Sequence, residues 1–212
     1  MQTKQKDKTL FVSTVILIIF HLVGIIGIHS SYKELFLQLT PFNLLLSCTL
    51  LFINQKQFNR SFFIVCFIIY VSGFLVELIG VKSGVIFGNY QYGDTLGLKL
   101  FDIPLIIGIN WLILIYSAGC ISNRLNSNIF VKSIKGAAML VALDLLIEPV
   151  AIKYNFWQWS NSAIPTQNYV AWFVIGFCFL LIFNKFDFNK NNKLAQTLYI
   201  IELVFFALLN IL

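Results

Sequence analysis

Residues 142–161 read ALDLLIEPVAIKYNFWQWSN, an apolar run that carries two acidic side chains and leads into a Trp-x-Trp. Asp144 and Glu148 are four residues apart, so a helix places them on one face, about one turn from each other. Pro149 follows directly and is predicted to kink the helix or to end its straight part. Trp157 and Trp159 come next. Carboxylates are costly inside an apolar segment and therefore indicate a function.

The whole chain is as apolar as this stretch. Of its 212 residues, 58% are apolar and only 11% are charged, whereas a soluble domain carries about 25% charged residues. The chain is therefore expected to fold in lipid, as a single membrane domain over residues 1–212. The net charge of +6 does not indicate nucleic-acid binding, because the basic residues form short clusters between apolar runs, as membrane topology requires.

The apolar runs define seven segments, each near the length of about 20 residues that crosses a bilayer as a helix. They are residues 10–28, 35–53, 62–80, 102–122, 133–152, 169–184 and 195–212. The predicted fold class is all-α, a polytopic integral membrane helix bundle of about seven transmembrane helices. The first run is longer than the apolar core of a signal peptide, about 7–15 residues, and no small-residue cleavage site follows it. We therefore expect an uncleaved first span.

The basic residues predict the orientation of the bundle. With the N-terminus cytoplasmic and the C-terminus outside, eleven basic residues lie on the cytoplasmic side and four on the other, as the positive-inside rule demands. The cytoplasmic set is Lys4, Lys6, Lys8, Lys56, Arg60, Arg124, Lys132, Lys135, Lys185, Lys190 and Lys193, and the outer set is Lys33, Lys82, Lys99 and Lys153. We expect a multi-pass protein of the inner (cytoplasmic) membrane.

Several site types are disfavoured by the sequence. The four cysteines, Cys48, Cys66, Cys120 and Cys178, lie far apart inside apolar runs, without the spacing of a disulfide framework or a zinc site. Residues 195–212 contain no lysine, which excludes a retinal protein with a Schiff base in its last helix. No phosphate-binding loop or nucleophile elbow is present. Neither a metal nor an organic cofactor is expected.

Polar and aromatic residues gather on the outer side of the predicted membrane. Glu77 lies near the outer end of the third segment, and Asp102 opens the fourth, where capping of the helix is the favoured interpretation. Aromatic residues commonly form belts at the membrane interface, but here they lie close in sequence to the acidic residues. The residues predicted to bind a substrate are Tyr90, Tyr92, Asp102, Asn110, Trp111, Trp157, Trp159, Asn168 and Trp172.

The acidic pair suits proton transfer. Two carboxylates one turn apart and partly desolvated resist ionising together, so one is expected to keep a proton near neutral pH. A neutral carboxylic acid is a potential general acid. The alternative is a pair of polar groups bonded to neighbouring helices, and the two residues alone do not decide between these. Glu77 is the next candidate, as a partner base or a residue that positions water.

Four stretches together resemble a known family. They are ELIGVKSGVIFGNYQYG (77–93), DIPLIIGINW (102–111), DLLIEPVAIKYNFWQW (144–159) and IPTQNYVAW (164–172). In combination they resemble the bacterial and archaeal carotenoid biosynthesis membrane proteins, the CruF-type hydratases. The resemblance implies addition of water to the terminal double bond of an acyclic carotenoid end, which gives a tertiary alcohol.

The implied chemistry fits the residues. Protonation of the alkene forms a tertiary carbocation, water attacks it, and a carboxylate takes the surplus proton, while aromatic faces stabilise the cation. Asp144 or Glu148 is predicted to donate the proton. The expected partners are an acyclic or monocyclic carotenoid, water, membrane lipid and other carotenoid-pathway enzymes, and no nucleic acid. The alternatives are a non-catalytic carotenoid-binding or scaffold protein and a carotenoid or isoprenoid cyclase.

Overall fold

The computed structural model describes residues 2–160 and 163–212, with side chains from residue 5 onward. Asn161, at the end of the stretch quoted first, and the side chain of Lys4 lie outside the described part. Eight α-helices form a bundle, which confirms the all-α class. They are α1 (Gln2–Ile28), α2 (Lys33–Gln38), α3 (Thr40–Ile53), α4 (Arg60–Ser83), α5 (Ile107–Ser122), α6 (Ile129–Lys153), α7 (Thr166–Lys185) and α8 (Lys193–Ile211).

Asparagines begin three of these helices. Asn59, Asn128 and Asn192 are the N-caps of α4, α6 and α8, and each side-chain oxygen accepts a hydrogen bond from a backbone N–H of the first turn, at 2.9, 2.9 and 3.0 Å. An asparagine cap satisfies one of the N–H groups that a helix start leaves free. All three caps lie in loops predicted to be cytoplasmic, so the sequence marks the helix starts on that side.

The second predicted segment is divided. Residues 35–53 were expected to form one span, but α2 ends at Gln38 and α3 begins at Thr40. Pro41 lies in the first turn of α3, where its missing N–H costs nothing, whereas in a continuous helix it would remove a hydrogen bond. The proline therefore explains why one apolar run gives two helices.

Helix α5 is the centre of the bundle. Nearly all of its side chains are buried, including the continuous run from Trp111 to Cys120, and it packs against α3, α4, α6, α7 and α8. A helix that is apolar all round is expected to be enclosed by others. Close approach of α4 depends on Gly73, where an added Cβ would lie 2.7 Å from Cβ of Trp111.

The outer helices present apolar surfaces to their surroundings. Phe11 on α1, Phe67 on α4 and Ile200 on α8 are 68%, 69% and 58% exposed, as expected for side chains that face lipid. Within the described residues, α1, α4, α7 and α8 are long and apolar enough to cross a membrane, and α3 and α5 are shorter apolar helices. The number of seven spans and the orientation of the termini stay predictions.

Two short antiparallel sheets interrupt the loops on the predicted outer side. Strand β1 (Tyr90–Tyr92) pairs with β4 (Trp157–Trp159), and β2 (Lys99–Leu100) pairs with β3 (Ile103–Pro104). The β1–β4 pair joins the loop after α4 to the loop after α6. These loops are far apart in sequence, so apolar runs alone did not predict the pairing.

Asp102 does not cap a helix, and that prediction is wrong. Helix α5 begins at Ile107, after a backbone N-cap at Ile106 without a side-chain hydrogen bond. Phe101 and Asp102 have positive φ angles of 55° and 71° and form the two-residue turn between β2 and β3, which favours such angles. The Asp102 side chain points outward and pairs with Lys82, with Nζ and Oδ2 2.6 Å apart.

Pro149 does not end its helix. Helix α6 continues through it to Lys153, and the predicted kink at the proline stays a prediction. A proline inside a helix removes one backbone hydrogen bond, and neighbouring helices can satisfy the groups that it frees. The carbonyl that Pro149 leaves without its helical donor is that of Leu145, and at the next residue Nδ2 of Asn210, on α8, donates to the Leu146 carbonyl at 2.8 Å.

A Gly73→Ala substitution tests the packing of α4 against α5. The methyl group has no room beside Trp111, and overpacking of this kind costs about 1–3 kcal/mol. We expect the Tm in detergent to fall by about 2–4 °C per kcal/mol for a chain of this size. Gly24→Ala is the matched control, because its nearest contact would be an ordinary 3.6 Å from Phe205. Equal Tm values for the two variants would contradict the packing argument.

Reporter fusions test the orientation. We expect alkaline phosphatase, which is active only outside the cytoplasm, to be active when it is fused after Leu212 and inactive when it is inserted at Lys190. The basic residue bias of the loops is the physical reason. The reverse pattern would show that the predicted orientation is wrong, and activity at both positions would show that residues 195–212 do not cross the membrane.

Candidate active site

The β1–β4 pair presents four aromatic side chains to the ends of the helices. In its register Tyr90 lies opposite Trp159, Tyr92 opposite Trp157, and Gln91 opposite Gln158. Side chains alternate along a strand, so the two tyrosines and the two tryptophans share one face and the glutamines the other. Each of the four aromatic rings carries an O–H or N–H donor, and each donor is used on a carboxylate.

Glu77 is held by three donors from two parts of the chain, β1 and α5. The Tyr90 and Tyr92 hydroxyls both donate to Oε2, Tyr92 at 2.8 Å, and Nε1 of Trp111 on α5 donates to Oε1 at 2.9 Å. Glu77 is only 4% exposed. Gly73 lies one turn earlier on the same helix, so the close approach of Trp111 to Gly73 brings its indole N–H to Glu77.

Glu148 is held by a second set of three donors. Nε1 of Trp157 and Nε1 of Trp159 donate to Oε2 at 3.1 and 2.8 Å. Nδ2 of Asn168 donates to Oε1 at 3.0 Å. Glu148 is 1% exposed. The Trp-x-Trp that follows α6 therefore folds back onto the last acid of the same helix.

Asp144 shares its amide donor with Glu148. Nδ2 of Asn168 also donates to Oδ2 of Asp144, at 2.9 Å, so one NH₂ group bridges both carboxylates. Over the described residues, Oδ1 of Asp144 is buried and has no hydrogen-bond partner. The two acids thus differ: Glu148 accepts three bonds, and Asp144 keeps one oxygen free. Asn168 lies in the first turn of α7.

Tyr90 connects the two carboxylate groups. It donates to Glu77, and its ring lies 5.0 Å from that of Trp159, which donates to Glu148. Burial and the neighbouring Glu77 carboxylate raise the pKa of Tyr90 and Tyr92 well above the usual value. Both phenols therefore stay protonated and act as donors. The three carboxylates therefore belong to one cluster, in which two hydrogen-bonded sets meet at the contact between the Tyr90 and Trp159 rings.

Most of the predicted site residues come together in this cluster. Trp172 joins it by stacking on Trp111, with ring centres 4.2 Å apart. Asp102 does not, since it is exposed and paired with Lys82, which lowers its pKa through a hydrogen bond and its charge. The members are Glu77, Tyr90, Tyr92, Trp111, Asp144, Glu148, Trp157, Trp159, Asn168 and Trp172. Their roles in catalysis or binding stay predictions.

A cavity of about 410 Å³ lies next to the cluster, among α1, α3, α5 and α8. Trp157 forms part of its wall and separates it from Glu148. Asn110, predicted to bind substrate, lines this cavity. Phe20 and Phe42, which are 50% and 66% exposed, also line it. The cavity therefore reaches the surface that faces lipid.

Glu202 was not predicted as a site residue, although it also lines the cavity. It lies in the last apolar segment and is 7% exposed. The rule that singled out Glu77, an ionisable residue inside a span, applies to it equally. His21 lines the same cavity.

No group of three or more His, Cys, Asp or Glu side chains is placed to hold a metal ion, within residues 2–160 and 163–212. The carboxylates of the cluster are instead surrounded by N–H and O–H donors. The site is thus arranged to hold negative charge and protons by hydrogen bonds. Reaction without a metal or cofactor stays a prediction.

The fold and the cluster define a class: a helical membrane protein with a buried carboxylate site against one end of the bundle. The family model for carotenoid biosynthesis proteins matches residues 39–212. The chain belongs to this family.

The sequence is also similar to a named relative. A bisanhydrobacterioruberin hydratase from Haloarcula japonica is 29% identical over 128 residues, which cover 54% of this chain and 42% of the relative. The match thus spans less than half of the relative's length. No solved structure matches the chain significantly.

A Glu77→Gln substitution tests the hydrogen-bond arrangement. Glutamine replaces one acceptor oxygen by an NH₂ donor, which meets donors from the tyrosines or from Trp111 and leaves them unpaired. We expect a loss of about 1–3 kcal/mol of stability, measured as a lower Tm in detergent. Glu34→Gln on α2 is the matched control, because Glu34 is exposed and surface substitutions usually change stability by less than about 0.5 kcal/mol. An unchanged Tm for Glu77→Gln would contradict the arrangement.

Proposed function

We propose that this protein is a carotenoid hydratase of the cytoplasmic membrane, which adds water to the terminal double bond of an acyclic carotenoid end group. The observation that carries the proposal is the buried pair Asp144 and Glu148, bridged by Asn168 and surrounded by aromatic donors. Family membership and the hydratase name of the Haloarcula relative support it.

The hydrogen bonds favour different charge states for the two acids. An ionised carboxylate only accepts hydrogen bonds, and Glu148 accepts three. Asp144 has a buried oxygen, Oδ1, with no partner in the described part of the chain, where a proton is accommodated without loss of a bond. We therefore assign the proton to Asp144 and the negative charge to Glu148.

The reaction then follows as general acid catalysis. Asp144 gives its proton to the less substituted carbon of the alkene, and the other carbon becomes a tertiary cation. Water attacks this cation through an oxygen lone pair, and the resulting oxonium passes its surplus proton to the Asp144 carboxylate, directly or by way of Glu148, which restores the acid. The sum is alkene plus water to tertiary alcohol, with no oxidation or reduction.

The surroundings support the charge that develops. The cation forms beside the Glu148 carboxylate and the faces of Trp157 and Trp159. Preorganised charge and aromatic faces in a site sheltered from bulk solvent stabilise a cation more than bulk water does. Glu77, held by two tyrosines, adds negative charge to the cluster and is the candidate for positioning water.

The cavity beside Trp157 supplies a place for the substrate. Its wall is largely apolar and reaches the lipid-facing surface, so a carotenoid can enter from the membrane. The indole of Trp157 lies between the cavity and Glu148. In the proposed reaction the end group displaces this ring to reach the acids.

Asp144→Asn and Glu148→Gln test the catalytic pair. A positioned general acid contributes about 10²–10⁴-fold to the rate, so we expect Asp144→Asn to lower hydration by at least about 100-fold. Glu148→Gln should do the same, because it removes the charge that stabilises the cation. The measurement is mass analysis of pigments in a host that makes the acyclic precursor, where each hydration adds the mass of one water.

The outcomes separate the proposal from its alternatives. Asp7→Asn is the control, because Asp7 is exposed on α1 far along the sequence from the cluster, and it should leave conversion unchanged. A product of unchanged mass but altered absorption would indicate a cyclase. Pigment that co-purifies without conversion by the wild type would indicate a binding or scaffold protein. Full conversion by both cluster variants would contradict the assignment of the acids.

A further inference from the structure

Glu202 occupies the cavity wall without a protein partner for its Oε2 atom. The side chain is buried at 7% exposure, and within residues 2–160 and 163–212 no donor reaches this oxygen. A buried carboxylate without a hydrogen bond is costly. The cost is offset when a ligand in the cavity supplies the missing donor.

Asn43 is a second side chain in the cavity wall with a buried polar atom that lacks a hydrogen-bond partner among the described residues. It lines the same cavity from α3, opposite α8 in the bundle, and its Oδ1 is also buried without a partner among the described residues. Oδ1 of Asn43 is an acceptor, and the Glu202 carboxyl accepts through both oxygens when it is ionised and still accepts when it carries a proton. A ligand that donates a hydrogen bond therefore suits both side chains, whereas an anion or a second carbonyl offers no donor.

The rest of the wall defines the body of the ligand. It consists largely of apolar side chains from six helices, such as Phe20, Leu114, Ile147 and Phe205. Its volume of about 410 Å³ falls within the range of about 300–1,000 Å³ that small-molecule sites occupy. A plain hydrocarbon would fill the space but leave the two acceptors unpaired.

We propose that this cavity binds an isoprenoid chain that carries a hydroxyl group, with the O–H donated to Glu202 or Asn43. The cavity thus distinguishes a hydroxylated chain from a hydrocarbon. Hydration at the carboxylate cluster does not by itself require this selectivity. The inference rests on the proposed function only for the class of ligand. Water is the other source of an O–H group, and the experiment separates the two.

Binding of two probes to the purified protein in detergent tests the proposal. All-trans-retinol is a C20 polyene with an O–H donor, and its methyl ether has the same chain without the donor. Both polyenes quench tryptophan fluorescence, and Trp157 lines the cavity. One net hydrogen bond in a dry site corresponds to about a tenfold change in affinity, so we expect the alcohol to bind about tenfold more tightly than the ether.

Variants assign the preference to its residues. Glu202→Leu should lower the affinity for the alcohol about tenfold and leave that for the ether within about twofold, which also shows that the cavity is intact. Asn43→Leu should also reduce the preference for the alcohol over the ether. This variant replaces Glu202→Leu in the test if Glu202→Leu does not fold. Glu202→Gln keeps an acceptor oxygen and should keep part of the preference. Glu34→Gln, outside the cavity, should change nothing.

Three results would overturn the proposal: equal binding of alcohol and ether by the wild type, an undiminished preference in both leucine variants, or no binding of either probe. Equal binding is the result expected if water alone serves the acceptors. The test needs no turnover, so Asp144→Asn should keep the preference for the alcohol. A protein that binds the alcohol selectively but never hydrates a carotenoid would refute the proposed function and leave this inference standing.

Discussion

The arrangement of the bundle depends on how three buried carboxylates are provided with donors. Glu77 and Glu148 each accept three hydrogen bonds, and most of these come from aromatic N–H and O–H groups. Aromatic donors suit this place because their rings are apolar enough to lie at the membrane boundary while one polar atom points inward. Without these donors, burial of the unpaired carboxylates would lower the stability of the folded bundle.

This requirement explains why the two outer loops form a sheet. Three residues of β1 and three of β4 are too few for a stable hairpin in water. Their pairing is stabilised instead by what their shared face contacts, since Tyr90 and Tyr92 reach Glu77 and the two tryptophans reach Glu148. The strands therefore tie α4 to α6 through the acids, and the site and the fold support each other.

The sequence predicted the parts that depend on local composition. Apolar runs located the long helices, although α1 begins eight residues before its predicted segment and one run contains both α2 and α3. The spacing of Asp144 and Glu148 predicted their common face, because it follows from the helical repeat. The grouping of acids and aromatic residues at one depth was also predicted. The β1–β4 register was not, since it joins residues that are more than 60 positions apart.

Other differences have equally physical causes. Asp102 precedes an apolar run, which is typical of a cap, but two residues with positive φ angles make a hairpin turn there instead. Pro41 separates α2 from α3 within one apolar run. Hydropathy does not detect this break, because proline acts through its missing N–H and not through its polarity. Glu202 shows no sign of its importance in the sequence beyond being an acid in a span, and its role depends on a cavity formed by distant helices.

The opening of the cavity toward lipid, beside Phe20 and Phe42, has a consequence for kinetics. A ligand that enters sideways is dissolved in the bilayer, so the quantity that sets its occupancy is its mole fraction among the lipids and not its amount per volume of solution. Added lipid dilutes such a ligand at constant total concentration. Rates and occupancies measured for this protein in vesicles should therefore depend on the surface density of the ligand in the membrane.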